Sequence, residues 1–126
     1  MFSPKSAYSG FSVDDLAKAK EFYSATLGLR VDAEGVGARI HLPGGGTVFF
    51  YPKPDHQPAS FTILNFEVDD INAAVDDLAA RGVHLERYED IPHVDEQGVM
   101  RGRANNMGPD IGWFLDPARN VLSVIH

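Results

Sequence analysis

The chain has 126 residues, with 44% apolar and 23% charged residues, which are ordinary values for one globular domain. A formal net charge of −7 argues against nucleic acid and anionic membranes as partners. The absence of cysteine excludes disulfides, thiolate metal sites and cysteine nucleophiles. No apolar run approaches the roughly 20 residues that span a bilayer, and no secretion-signal pattern is visible, so we expect a cytoplasmic protein.

A five-residue motif occurs twice in the sequence. Residues 11–15 read Phe-Ser-Val-Asp-Asp, and residues 66–70 read Phe-Glu-Val-Asp-Asp. Each copy follows an apolar run and precedes an Ala-rich helical pattern that ends at a glycine. The paired aspartates are typical of helix starts, where a carboxylate accepts hydrogen bonds from the first amides. The repeat therefore predicts one strand–helix unit used twice, and it assigns the aspartates to capping rather than to acid–base chemistry.

The first half predicts a strand over Ala7–Val13 and a helix that starts at Leu16 and ends before Gly28. Three short strands follow, at Leu29–Asp32, Ala38–Leu42 and Thr47–Tyr51. The glycine triplet at 44–46 lacks a following Lys-Ser or Lys-Thr and precedes a strand, so it does not indicate a phosphate-binding loop.

The second half begins after a proline-rich linker and repeats the same pattern. A strand is predicted over Phe61–Val68, and a helix from Ile71 to the glycine at 82. Part of the polar segment near Val99–Arg103 is left open as a strand, and three further segments are predicted as strands: Val83–Tyr88, Ile111–Leu115 and Val121–Ile125. The last two flank a turn at 116–120. Each half is therefore predicted to fold as βαβββ, and pairing two such halves buries the second face of each sheet.

The sequence resembles the vicinal oxygen chelate superfamily, which includes glyoxalase I, extradiol dioxygenases, and fosfomycin and bleomycin resistance proteins. The segments that carry the resemblance are the two Val-Asp-Asp motifs, Glu21-Phe-Tyr, Leu27-Gly-Leu, Ala80-Arg-Gly-Val, and Trp113-Phe-Leu-Asp-Pro followed by Asn120. The resemblance implies an α+β fold in which two βαβββ modules form a partly closed, eight-stranded, barrel-like sheet. It implies a single domain over 1–126, with modules at 5–51 and 60–126 joined by a linker at 52–59.

The resemblance also bears on metal binding. Metal-using members place His or Glu at four positions that correspond here to Tyr8, Ile63, one of Val48 to Phe50, and Ser123. Apolar side chains cannot coordinate a divalent ion, and neutral hydroxyls are poor substitutes for imidazole and carboxylate. We therefore expect no metal and no cofactor. The resemblance then favours members that bind a ligand without metal, as homodimers, in the manner of bleomycin resistance proteins.

The leading hypothesis is a small-molecule-binding protein that holds an apolar or aromatic ligand in the cleft between the modules. The predicted ligand-binding residues are Tyr8, Phe50, Ile63, Arg101, Trp113 and Ser123. Arg101 is included because a guanidinium can bind a carboxylate or phosphate in a bidentate way. The alternative roles are core packing for the aromatic and aliphatic residues, and a solvated strand edge for Arg101.

Two other functions stay open at this point. A metal-dependent lyase or dioxygenase-like enzyme could use a non-standard site around His93, Asp95 and Glu96, which form a local group of metal-capable residues. A non-catalytic interaction domain would have a filled cavity and no small-molecule ligand. The sequence does not decide whether the protein is an enzyme.

Overall fold

The chain divides into two units, Met1–Pro58 and Ala59–His126. The structure is a computed structural model that describes residues 1–126. The division falls inside the proline-rich segment predicted as the linker, although the first of those prolines, Pro52, is the last residue of a strand.

The first unit contains one helical segment and a four-stranded mixed sheet. Its elements are β1 (Ser9–Val13), α1 (Leu16–Glu21) continued by a π-helical turn (Phe22–Thr26), β2 (Arg30–Glu34), β3 (Gly37–His41) and β4 (Thr47–Pro52). The strand order is β1-β4-β3-β2, with β1 parallel to β4 and the other pairs antiparallel. The segment after β4 is tied to β1 by hydrogen bonds from the Lys53 amide to the Val13 carbonyl (3.0 Å) and between Ser12 and His56 (2.6 Å).

The second unit has the same topology. Its elements are β5 (Thr62–Glu67), α2 (Ile71–Ala80), β6 (Met100–Arg101), a 3₁₀ turn (Arg103–Asn105), β7 (Asp110–Leu115) and β8 (Val121–Ile125). The strand order is β5-β8-β7-β6, again with the first strand parallel to the last. The α+β fold class is confirmed, and the eight strands form two separate four-stranded sheets. No helix has the length and apolar content needed to cross a membrane.

The repeated motif produces the same helix start in both units. Asp15 and Asp70 have extended backbones, and each carboxylate accepts a hydrogen bond of 3.1 Å from the amide three residues later. The helical segments end near Gly28 and Gly82, whose φ angles of 72° and 83° are costly for any residue with a Cβ. The predicted capping and stop positions are therefore confirmed in both copies.

Removing either cap is expected to cost about 1 kcal/mol of unfolding free energy, because it leaves a helix amide without its side-chain acceptor. The variants are Asp15→Ala and Asp70→Ala, measured by urea denaturation followed by circular dichroism. The adjacent Asp14→Ala and Asp69→Ala serve as controls, since Asp15 and Asp70 are the residues that accept from the helix amides. We expect these controls to change stability by less than about 0.5 kcal/mol, and equal losses in all four variants would contradict the assignment.

The core of the first unit is an aromatic cluster between the helical segment and the sheet. The rings of Phe11, Tyr23 and Phe50 lie with centroids 5.4 to 5.8 Å apart, and Tyr23 and Phe50 have no exposed surface. In the second unit, α2 packs on β7 and β8. The buried side chains there include Ile71, Val75, Leu78, Phe114, Leu122 and Val124.

The strand predicted at Val83–Tyr88 is wrong. This segment contacts β7 through one backbone hydrogen bond, from the Glu86 amide to the Trp113 carbonyl (2.7 Å). One edge of β7 is paired with β8. On the opposite edge, β6 pairs with Asp110 and Ile111. The strand left open within 99–103 exists, but it is only two residues long.

Candidate functional site

The sheet of the first unit has one buried face and one open face. On β4, Val48 and Phe50 are buried, whereas Thr47, Phe49 and Tyr51 are half-buried. Side chains alternate along a strand, so the second group lies on the face away from the core. The same alternation places Arg39 and His41 of β3 on the open face.

Arg39 is the centre of the open face of the first unit. Its guanidinium carbon lies 4.3 Å from the ring centroid of Tyr8 and 5.8 Å from that of Phe49. Its Nε donates to the Glu34 carboxylate (2.6 Å), and its Nη1 donates to the Thr47 hydroxyl (3.0 Å). The hydrogen bond to Glu34 raises the pKa of Arg39 above its ordinary value. The guanidinium therefore links the exposed ring of Tyr8 to the sheet.

Two of the predicted ligand-binding residues belong to this unit, and the structure places them differently. Tyr8 is 58% exposed and lies against Arg39 on the open face. Phe50 is fully buried in the aromatic core, which is the alternative role considered for it. Sequence reasoning missed Phe49 and Arg39. The signal for Arg39 was available in the Ala-Arg-Ile-His alternation of β3, but the continuous apolar run of β4 hides which of its residues face the core.

A cavity of about 230 Å³ lies in the second unit, beside the indole ring of Trp113. Its lining residues are Ser60, Phe61, Thr62, Tyr88, Asp90, Ile91, Trp113 and Val121. The indole N–H donates to the Thr62 hydroxyl across the sheet (3.1 Å), which fixes the plane of the ring. The ring of Tyr88 lies 6.0 Å from Trp113, centroid to centroid, at an interplanar angle of 78°. The two rings thus form adjoining, nearly perpendicular walls.

The phenol of Tyr88 lines this cavity and has a raised pKa. Burial raises the pKa of Tyr88 above its ordinary value, and the nearby Glu86 carboxylate raises it further, while Arg119 opposes the shift. The phenol is therefore neutral at physiological pH. The wall that it forms has a hydroxyl able to donate or accept a hydrogen bond.

Ile63 and Ser123 lie on β5 and β8, close to one another in the sheet of the second unit. Ile63 is half-buried and occupies an irregular position, where the pairing between β5 and β8 shifts after Thr62. Ser123 is fully buried, and its hydroxyl donates to the side-chain oxygen of Asn65 (2.5 Å). The hydrogen bond with Asn65 satisfies the Ser123 hydroxyl inside the protein.

Arg101 is surrounded by partners from its own unit. Its Nε donates to Asp95 (2.7 Å), its Nη1 to Asp110 (3.3 Å), and its Nη2 to Asn72 (2.5 Å). Partial burial alone would lower the pKa of Arg101, but its pairing with Asp95 and Asp110 raises it. Burial alone would raise the pKa of Asp95, but the hydrogen bonds from the Val99 amide and Arg101, the charge of Arg101 and the Gln97 amide lower it. Arg101 thus connects α2, β7 and the loop before β6.

The group around His93 does not form a metal site. No three His, Asp or Glu side chains in the structure converge in a way that could hold an ion. One Asp95 oxygen accepts from the amides of Gln97 and Val99, and the other accepts from Arg101. The four positions that the resemblance assigns to metal ligands carry no imidazole or carboxylate: they are Tyr8, Ile63, one of Val48 to Phe50, and Ser123. This donor set does not fit a divalent ion.

The sequence profile of the Glyoxalase/Bleomycin resistance protein/Dioxygenase superfamily matches residues 7–124. This match covers nearly the whole chain, so the protein belongs to that superfamily. No match was found among curated proteins.

Several solved structures are similar to this chain over almost their full length. TnmS3, an antibiotic binding protein from Streptomyces sp. CB03234, is 25% identical with a TM-score of 0.62, and 98% of each chain is covered. A glyoxalase/bleomycin resistance protein from Catenulispora acidiphila is 20% identical with a TM-score of 0.62, over 94% of this chain and 95% of that one. An integron cassette protein from the mobile metagenome of a Halifax Harbour sewage outfall is 18% identical with a TM-score of 0.67, over 97% and 98%.

Proposed function

We propose that this protein binds an apolar or aromatic small molecule, and that the cavity beside Trp113 is the site. The observation that carries the proposal is the pair of perpendicular aromatic walls, Trp113 and Tyr88, around a cavity of about 230 Å³. Ligand sites are concave, mostly apolar, and supplied with a few fixed polar groups. Here Thr62 and Asp90 supply the polar groups, and the hydrogen bond between Thr62 and the indole holds the site rigid before a ligand arrives.

The similarity to TnmS3, an antibiotic binding protein that is 25% identical to this chain, supports small-molecule binding as the role of the site. Binding by itself can sequester a toxic compound, because the bound fraction is removed from its target. We include in the proposal that the protein acts as a homodimer, which sedimentation velocity would test.

Of the six residues predicted to bind ligand, Trp113 lines this cavity and carries the proposal. A ligand-binding role for Tyr8 and Ile63 stays a prediction, because neither residue lines this cavity. Phe50, Arg101 and Ser123 are assigned structural roles here, since their side chains are already occupied by core packing, by two carboxylates, and by Asn65.

Trp113→Leu is expected to abolish ligand binding while leaving the fold intact, because it removes one aromatic wall. The measurement is a thermal-shift screen of the purified protein with aromatic antibiotics and aromatic metabolites, with and without divalent ions. A ligand present at 100 times its dissociation constant stabilises the native state by about 2.7 kcal/mol, which raises Tm by about 10 °C for a protein of this size.

Phe49→Leu is the matched control, since it removes a partly exposed aromatic ring from the first unit. A compound that shifts Tm in the wild type and in the Phe49→Leu variant, but not in Trp113→Leu, supports the site. A compound that shifts both variants equally would place the binding site elsewhere, and the absence of any shift across the screen would overturn the proposed function.

A further inference from the structure

The shape of the cavity beside Trp113 restricts what can occupy it. Tyr88 and Trp113 are inclined at 78° and are in contact with each other, so they cannot enclose a flat polycyclic ring system between two parallel faces. Two nearly perpendicular rings suit a compact group that contacts both. The volume of about 230 Å³ is below the roughly 300–1,000 Å³ of pockets that hold whole drug-sized ligands. The cavity therefore fits one compact headgroup of a ligand.

The charges around the cavity favour a cation. Asp90 lines it directly, and the Glu86 carboxylate is close enough to Tyr88 to influence its titration. Arg119 is the positive group that also acts on Tyr88. The balance of these three charges is negative, and it lies within a chain of net charge −7. An anionic headgroup would be repelled by Asp90 at the cavity wall.

We infer that the headgroup bound in the corner formed by the rings of Tyr88 and Trp113 is an alkylammonium, such as a quaternary ammonium or a protonated tertiary amine, with Asp90 as its counter-ion. This inference rests on the proposed small-molecule binding at the same cavity and names the chemical class of the ligand. Tryptophan and tyrosine faces attract a cation within about 6 Å of the ring centroid through their quadrupoles. A carboxylate at the rim adds a direct charge interaction, and both terms distinguish an ammonium from a neutral group of the same shape.

The test uses choline chloride and 3,3-dimethyl-1-butanol, which have the same shape and differ in the charged nitrogen. Trp113 is the only tryptophan of the chain, so its fluorescence reports directly on the cavity. Ionic strength is matched with sodium chloride, and thermal shift provides an independent readout. We expect saturable quenching by choline with a dissociation constant about tenfold lower than that of the alcohol, which is a typical magnitude for a cation–π site.

Four variants separate the contributions of charge and ring. Asp90→Asn is expected to raise the dissociation constant for choline about tenfold and to leave that for the alcohol unchanged. Glu89→Gln removes a neighbouring carboxylate that does not line the cavity, and it is expected to change neither. Tyr88→Phe keeps the aromatic face and should retain choline binding, whereas Tyr88→Leu should lose it.

Equal binding of choline and the alcohol, tighter binding of the alcohol, or no saturable quenching by choline would each overturn the inference. These results are distinguishable from failure of the proposed function. If a neutral aromatic compound from the thermal-shift screen quenches Trp113 and choline does not, the site binds small molecules but not ammonium groups. If no compound shifts Tm or quenches Trp113, both proposals fail.

Discussion

Phe50→Ala is expected to lower the unfolding free energy of the first unit by about 3–5 kcal/mol, the cost typical of deleting a buried phenylalanine ring. Phe50 has no exposed surface, and its ring centroid lies 5.7 Å from that of Phe11 and 5.4 Å from that of Tyr23. Removing the ring leaves a cavity that the sheet and the helix on either side cannot close. Urea denaturation followed by circular dichroism measures the loss.

Phe49→Ala is the matched control, because the two positions differ only in the face of β4 on which they lie. The ring of Phe49 is partly exposed and contacts Tyr51 at a centroid distance of 6.1 Å, so we expect a loss of about 1 kcal/mol. Phe50→Leu, with an expected loss of about 1–2 kcal/mol, remains measurable if Phe50→Ala does not fold. Equal losses at positions 49 and 50 would show that Phe50 is not the core residue of this strand.

Arg101→Met is expected to lower the unfolding free energy of the second unit by about 2–4 kcal/mol. The change leaves the carboxylates of Asp95 and Asp110 without their cation, and their side chains are only 30% and 13% exposed. A partly buried carboxylate that loses its partner is more costly than the original pair is stabilising. Arg103→Met is the control, since Arg103 is exposed and two residues away, and we expect a change below about 0.5 kcal/mol.

The ion pair between Arg101 and Asp95 also predicts how the unfolding free energy depends on pH. The pKa of Asp95 is lowered in the folded protein, so its contribution to stability is present above the unfolded value of about 3.9 and is lost as the pH falls below it. In the Arg101→Met variant one cause of the lowered pKa is gone, while the hydrogen bonds from Val99 and Gln97 remain. The loss of stability as the pH falls below about 4 should therefore be shallower in the variant. An unchanged slope would contradict the role of Arg101.

Features of the fold that depend on neighbouring residues in sequence were predictable. The caps at Asp15 and Asp70 and the stops at Gly28 and Gly82 are set by interactions within one helical turn, and the repeat supplied each of them twice. The turn at 116–120 and the strand at Val121–Ile125 were predicted with the correct bounds, since Asp116 and Asn120 close that turn by hydrogen bonds between themselves.

Features that depend on tertiary pairing were not predictable. The run Val48-Phe49-Phe50-Tyr51 is apolar throughout, so only the packing against Phe11 and Tyr23 reveals that Phe50 faces inward. The segment at 83–88 has the composition of a strand, but it contacts β7 through a single backbone hydrogen bond, to Trp113, whereas β6 pairs with Asp110 and Ile111. For the same reason, the sequence did not indicate that Tyr88 lies against Trp113, which is what creates the candidate site.

The parallel pairing of β1 with β4, and of β5 with β8, has a consequence for the order of folding. Each opening strand has a single neighbour in its sheet, and that neighbour is the last strand of the same unit. The intervening antiparallel strands can pair locally, but the opening strand must wait until its distant partner has formed, and such non-local pairings are slow. During synthesis, each half therefore exposes one unpaired strand until the ribosome has completed that half. This is the interval in which a chaperone, or a second nascent chain, would find an edge to bind.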